Sequence, residues 1–225
     1  MANPGFRIKK TITRPDPALI ASFAGIPSAN IGDIINRTAC MSARIRPMNQ
    51  SPLLGCALTV RVRPGDNLMF HKAMDIALPG DVIVIDAGGQ DACAVTGELM
   101  VLWCRRRGLA GLVIDGCIRD SDTIGKMEFP VYAIGVSPNG PQKEGGGEIN
   151  FPISCGGLTV NPGDILVGDA DGVVVVDPAN AARIAEQARK QHAAEARIME
   201  SIENLTWDRS WVDKALEAKG CEFID

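Results

Sequence analysis

Gly111-Leu112-Val113-Ile114-Asp115-Gly116, followed by Ile118-Arg119-Asp120-Ser121-Asp122, is an apolar run that breaks into charged residues. An apolar run with no polar alternation, bounded by glycine, is the pattern of a strand buried on both faces. A second run of this kind, Val82 to Ile85, ends at Asp86. Between them a loop, Ala87-Gly88-Gly89-Gln90-Asp91, leads into a stretch with helical spacing that runs to Arg107 and is broken or restarted near Thr96-Gly97. Strand, helix and strand in succession predict an α/β layered domain.

The flanks extend this pattern. Upstream, Gly55 to Val62 reads as a strand closed by a turn at Arg63-Pro64-Gly65-Asp66, and Asn67 to Ala77 has helical apolar spacing. Ala18 to Phe23 and Ser28 to Asn36 predict short helices, with Ser28 capping the second after Pro27. Downstream, Val131 to Ile134 is a strand, and Ser137 to Gly147 is a Gly/Pro-rich loop too polar for the core. Leu158 to Val160, Ile165 to Val167 and Val173 to Val176 form a β-rich section with tight turns. A long amphipathic helix from about Pro178 to Glu203 precedes a shorter one around Trp211 to Lys219. The three Pro-Gly-Asp triplets, ending at Asp66, Asp81 and Asp164, read as shared turn chemistry rather than a repeat. The expectation is a mixed sheet in one domain spanning 1–225, with 178–225 a helical extension that packs on the domain or reaches a neighbouring subunit.

Composition removes several functions. A chain of 225 residues with 46% apolar content is long enough to bury a core. A net charge of −4 and 4% aromatic residues give neither the basic field nor the stacking surface that nucleic acid binding needs, so no nucleic acid partner is expected. Met1 to Pro17 is basic and proline-containing without the apolar run of a secretory signal. No stretch reaches the roughly 18 apolar residues of a membrane span, so no membrane partner and a soluble, cytoplasmic protein are expected. The seven cysteines include no C-x-x-C pair, which disfavours a disulfide scaffold or zinc cluster and predicts small buried hydrophobes.

The densest polar residues follow the two buried strands. In open α/β sheets ligands bind beyond the carboxyl ends of strands, so Thr96-Gly97-Glu98-Leu99-Met100 and Arg119-Asp120 face one predicted site. With Thr96 as cap, the amides of Gly97, Glu98, Leu99 and Met100 would be a carboxylate cradle. Arg119 adds a two-pronged donor, and Glu98 and Asp120 offer the oxygen ligands that a hard divalent ion prefers. The spacing alone also fits a plain reading, in which Asp120, Asp122 and Glu98 are acids favoured by helix starts. His71 has no second histidine near it in sequence to make a metal pair. Arg105-Arg106-Arg107 complements the carboxyl end of its helix or steers an acidic ligand. Gly88-Gly89 lacks dinucleotide-fingerprint spacing. Asp169-x-Asp171-Gly172 lacks the closing glutamate of a calcium loop.

Gly97-Glu98-Leu99-Met100, Gly111 to Gly116 and Arg119-Asp120 together resemble the regulator-of-ribonuclease-activity A-like family. Its aldolase branch carries an acid, twenty intervening residues and Arg-Asp, which Glu98 and Arg119-Asp120 reproduce. The resemblance implies an α/β/β/α sandwich of the swivelling (phosphohistidine-like) domain type with a long carboxyl-terminal helix, assembled as a homotrimer or homohexamer with sites between subunits. It implies a class II aldolase that cleaves 4-hydroxy-4-methyl-2-oxoglutarate or 4-carboxy-4-hydroxy-2-oxoadipate to pyruvate and a second 2-oxo acid, and that also decarboxylates oxaloacetate. Asp120 would be the direct ligand of a divalent metal cation, magnesium or alternatively manganese or cobalt, with Glu98 holding its waters. Arg119 would hold the pyruvyl oxygens, the amides of residues 97 to 100 the carboxylate, and Asn67 a polar position near the substrate. Glu195 would reach a neighbouring protomer's site. A Schiff-base mechanism would need a desolvated lysine, and Lys72 and Lys126 are the candidates, neither at an apolar strand end. The rival function is a non-catalytic regulator of ribonuclease E, for which Glu98 is unnecessary.

Overall fold

Val82 to Ile85 and Leu112 to Ile114 are adjacent in space, each residue fully buried. The computed structural model describes residues 3–224. The chain opens with β1 (Phe6–Ile8), α1 (Pro17–Ala21), α2 (Ser28–Ile34), β2 (Arg46–Pro47), β3 (Leu53–Val62) and α3 (Leu68–Ile76). Its middle is β4 (Asp81–Thr96), α4 (Glu98–Arg106), β5 (Gly111–Ile118), α5 (Ser121–Ile124) and β6 (Val131–Val136). It closes with β7 (Gly147–Ile149), β8 (Ile153–Cys155), β9 (Leu158–Val160), β10 (Ile165–Asp169), β11 (Gly172–Val176), α6 (Pro178–Glu203) and α7 (Ser210–Ala218).

The strand order β1-β7-β3-β4-β5-β6-β2 places four parallel strands, β3 to β6, at the centre of a mixed sheet. Side chains alternate across it. Leu58, Val60, Ile83, Ile85, Leu112 and Ile114 pack against α3 and α4 on one face. Ala57, Val82, Val84 and Val113 turn the other way, onto β8, β9 and the β10–β11 ribbon. The ribbon alternates in turn: Leu166, Val173 and Val175 face the sheet, while Ile165, Val167, Val174 and Val176 face α2 and α6. Two faces of strands, each backed by helices, make the α/β/β/α sandwich. No helix among the described residues is long and apolar enough to cross a membrane.

Three local readings change. The residues before Thr96 are strand, not helix: β4 continues to Thr96, pairing Gln90, Ala94 and Thr96 with Gly116, Cys117 and Ile118 through successive bulges. The excursion turns at Gly88 and Gly89, with φ of 72° and 65°, a backbone region where glycine carries no steric cost. Ser28 is the first helical residue of α2 rather than its cap; Pro27 holds that position, and the Ser28 hydroxyl and amide both donate to Asp169. Of the cysteines, Cys56, Cys104, Cys117 and Cys155 are buried, Cys93 is partly buried, and Cys40 and Cys221 are exposed. Burial pushes the Cys56 and Cys104 thiols up to about 12, which makes them inert packing groups.

The long helix α6 is amphipathic only where it meets the ribbon: Ala181, Ile184, Ala185 and Ala188 are buried, and nothing beyond them is. Removing its contact should separate this outer layer. Ile165→Ala, at a fully buried ribbon position facing α6, is expected to destabilise the fold by roughly 2–5 kcal/mol in urea unfolding. Arg183→Ala, on the exposed side of the helix, is expected to stay within about 0.5 kcal/mol.

Candidate active site

Both chain reversals at the site begin from paired strand residues. Thr96 on β4 lies opposite Ile118 on β5, and the Arg119 amide donates to the Thr96 carbonyl at 3.0 Å. From there the first segment turns through Gly97 into α4, and the second turns through Asp120 into α5. Asp120 has φ 58° and ψ 38°, the left-handed region that aspartate tolerates better than most residues with a Cβ. That geometry returns its carboxylate toward α4, where Oδ2 accepts from the Glu98 amide at 2.9 Å. A Cβ at Gly97 would overlap Asp120 Oδ2 and stand 3.0 Å from Arg119 Cγ and Nε. Glycine at 97 is therefore what lets the two segments touch.

The helix cap is Gly97 rather than Thr96, whose hydroxyl is buried beside its own neighbour's carbonyl. The predicted cradle is smaller than four amides, because the Glu98 amide is already bonded to Asp120; those of Gly97, Leu99 and Met100 have no such partner among the described residues. Their side chains part company. Leu99 is 81% exposed, whereas the Met100 sulfur accepts from Asn67 Nδ2 at 3.5 Å. Asn67 is buried beneath this helix start, also donating to the Val95 carbonyl at 2.9 Å. Its Oδ1 is buried without a hydrogen-bond partner, a cost that a ligand or water donor would relieve.

Arg119 and Asp120 are each nearly half exposed, and Arg119 Nε lies 3.8 Å from Asp120 Oδ2. Glu98 is partly exposed on the first turn of α4. Asp120 Oδ1 and the Glu98 carboxylate accept no hydrogen bond among the described residues. No group of three or more histidine, cysteine or acidic side chains is gathered for a metal among those residues. A donor set of one or two carboxylates fits a hard ion that keeps most of its waters, and does not fit zinc.

The chain thus brings Gly97, Glu98, Leu99, Met100, Asn67, Arg119 and Asp120 together. It does not bring Glu195 to them. That residue sits on α6, on the opposite helical layer, where its carboxylate accepts from Asn30 at 2.8 Å and from Gln191 at 3.4 Å. Lys72 pairs with Asp75 on the surface. His71 lies in an apolar groove with Phe6, Leu68 and Trp103, and burial, then the charge of Lys143, pushes its pKa down. Arg107 donates to the Ala77 carbonyl at 2.9 Å, so it closes the end of α3. Two features were not anticipated. Asp115, in the strand that defined the fold, is bonded to Arg44 at 2.6 Å and to the Gly156 amide at 2.9 Å. The loop 137–147 approaches Arg119 through Gly140, where an added Cβ would stand 3.1 Å from Nη1.

Residues 28–175 match the family model described as RraA-like: Aldolase/RraA. The chain is 39% identical over 199 residues to a Halalkalibacterium halodurans protein named "Putative 4-hydroxy-4-methyl-2-oxoglutarate aldolase", covering 88% of this chain and 95% of that one. Among solved structures it is similar to an uncharacterized protein from Pseudomonas syringae pv. tomato, with a TM-score of 0.76, 26% identity, and coverage of 86% of this chain and 96% of that one. It is also similar to RraAS2 of Streptomyces coelicolor, described as an unusual member of the RNase ES inhibitor RraA family, with a TM-score of 0.74 and 26% identity, covering 83% and 98% of the two chains.

The Asp120 to Glu98 bond is open to a direct test. Gly97→Ala is expected to push the carboxylate off the helix start, so that the Glu98 amide exchanges with solvent at least about tenfold faster. Unchanged protection at Glu98 would show that the glycine is not what holds the two segments together.

Proposed function

The chain belongs to the RraA-like aldolase/RraA family, and from that premise we propose that it is a divalent-metal-dependent carbon-carbon lyase. The substrate is a 4-hydroxy-2-oxo diacid or triacid, 4-hydroxy-4-methyl-2-oxoglutarate or 4-carboxy-4-hydroxy-2-oxoadipate, and one product is pyruvate. The observation that carries this reading is the convergence of Glu98 with Arg119 and Asp120 at one helix start. A surface that only binds a protein partner has no need of two carboxylates and a guanidinium gathered around free helix amides. The name of the Halalkalibacterium relative supports the same reaction class.

Asp120 would hold the cation through Oδ1, the oxygen its bond to Glu98 leaves open, with Glu98 bonding to the ion's waters. Magnesium is the expected ion, with manganese or cobalt able to replace it. When bound, the cation supplies Lewis acidity toward the 2-oxo acid. Arg119 would bind the pyruvyl oxygens through two parallel N–H groups and stabilise the negative charge that develops as the C3–C4 bond breaks. The Leu99 and Met100 amides hold the C1 carboxylate at the positive end of α4. Cleavage requires the C4 hydroxyl to lose its proton, and the Glu98 carboxylate is the acceptor on this chain. The electron pair of the broken bond returns to C3, which then takes a proton to complete pyruvate. Glu195 is assigned to a neighbouring protomer's site in a trimer or hexamer, since in its own chain it lies on the other helical layer. Loss of carbon dioxide from oxaloacetate leaves the same negative charge at the same carbon, so that side activity is expected.

The similarity to RraAS2 gives the rival reading, a non-catalytic inhibitor of a ribonuclease. A coupled assay for pyruvate released from 4-hydroxy-4-methyl-2-oxoglutarate separates the two. Turnover is expected with magnesium and should vanish with EDTA. Asp120→Ala is expected to abolish the metal-dependent rate, and Glu98→Gln to lower kcat by about 100-fold or more. Arg119→Lys should lose about 100-fold in kcat/KM, since an ammonium cannot replace a planar fork. A folded wild-type protein that releases no pyruvate with any of the three metals would leave the regulator reading standing.

A further inference from the structure

Arg119 carries a guanidinium on a flexible stem, and no hydrogen bond holds its Nη atoms among the described residues. Its Nε side faces Asp120 at 3.8 Å. Its Nη1 side faces Gly140. Gly140 lies in the segment 137–147, which is polar and largely exposed yet tied down at both ends. At one end the Ser137 amide donates to the Ile118 carbonyl at 2.9 Å, the Asn139 carbonyl accepts from the Ala94 amide at 2.8 Å, and Asn139 Nδ2 donates to the Ala92 carbonyl at 2.9 Å. At the other, the Gln142 amide donates to the Gly65 carbonyl at 2.8 Å and the Gln142 carbonyl accepts from the Asn67 amide at 3.1 Å.

The second anchor depends on one side chain. Asp66 is 2% exposed and accepts three backbone amides: Leu68 at 2.8 Å through Oδ1, and Glu144 at 2.5 Å and Gly145 at 3.0 Å through Oδ2. Its carboxylate therefore joins the start of α3 to the strap. Between the anchors, Pro141 disfavours the helical backbone at Gly140. The anchors on either side of Gly140, at Asn139 and Gln142, are one and two residues away.

We infer that segment 137–147 is a strap that positions Arg119, with Asp66 as its latch and Gly140 as its point of contact. This rests on the lyase reading only for its effect on turnover. Asp66 touches neither substrate nor metal; it acts through the strap, and so is a positioning residue. Asparagine at 66 would turn an NH2 donor toward two amides that are themselves donors, or leave Leu68 facing it instead, so the latch opens with almost no change in volume. Alanine at 140 leaves the latch intact and presses a methyl group on Nη1. Two unlike changes should thus displace the same side chain.

The test combines kinetics with a direct view of the guanidinium. Asp66→Asn and Gly140→Ala are each expected to raise KM for the 4-hydroxy-2-oxo acid about tenfold or more, because a misplaced binding group is felt strongly in a preorganised site. A merely structural role would lower the fraction of active protein, and with it the apparent kcat, at unchanged KM. In parallel, the Arg119 Nε–H resonance, assigned by its loss in Arg119→Lys, is expected to shift in both variants. An unmoved resonance and unchanged KM in Gly140→Ala would overturn the inference, including where Asp66→Asn fails to fold. If the wild-type protein releases no pyruvate, the lyase reading falls and the resonance alone decides the strap.

Discussion

One oxygen of Asp120 is committed to the amide of Glu98, and the site is built around that bond. It ties the end of β5 to the start of α4, segments that belong to different strand-to-helix turns. A carboxylate at a helix amino terminus accepts a charge-assisted bond in the favourable direction of the helix dipole, on the order of 1 kcal/mol for a group this exposed. Its larger effect is geometric. With Oδ2 fixed, Oδ1 has a defined direction, Arg119 has a neighbour on one side, and Glu98 projects from a helix turn whose origin cannot drift. The left-handed backbone at Asp120 and the missing side chain at Gly97 are the two local concessions that permit it.

The sheet supplies rigidity just below this point. In register across its strands, Arg7 faces Glu148, Glu148 faces Arg61, Arg61 faces Asp86, and Asp86 faces Asp115. Ion pairs join Arg7, Glu148, Arg61 and Asp86, and Arg44 closes on Asp115. Burial alone would oppose ionisation of Glu148, but hydrogen bonds from Arg7 and Gly5 and the charges of Arg7 and Arg61 outweigh it and hold its carboxyl below the usual range. The stabilisation from a depressed carboxyl is complete above its unfolded-state pKa and is lost as pH falls through the folded one. Glu148 is therefore ionised and paired with Arg7 and Arg61 at neutral pH. The row crosses β3, β4 and β5 where the regular pairing of β4 with β5 gives way to bulges.

The sequence displayed the parts of this arrangement that depend on period and spacing. Buried parallel strands announce themselves as apolar runs, and the Glu98 and Arg119-Asp120 pattern is visible because both segments follow such runs. The continuation of β4 through Ala92 to Thr96 was not legible, since Ala92-Cys93-Ala94 carries no strand signal, Val95-Thr96 is too short to supply one, and the strand is set by pairing with Gly116, Cys117 and Ile118. Ser28 looked like a cap because its type suits one, and only the tertiary fold shows Asp169 claiming it. Asp66 was hidden in the same way. Its Pro-Gly-Asp context is ordinary turn chemistry, and its value comes from two amides roughly eighty residues further along the chain.

Fold alone does not separate catalyst from inhibitor here. A ribonuclease ES inhibitor family member shares this fold with a TM-score of 0.74, while a relative named as an aldolase is 39% identical to the same chain. What the layers do is bring two strand ends within one hydrogen bond of each other and hold them there. Whether that junction does chemistry depends on which side chains occupy it. In this chain the junction carries an acid with no hydrogen-bond partner among the described residues, a carboxylate with one open oxygen, and a guanidinium held between a neighbour and a strap. Arg119 and Asp120 are each nearly half exposed, so water reaches both, and the junction presents its charges at a surface that a small polar molecule can approach.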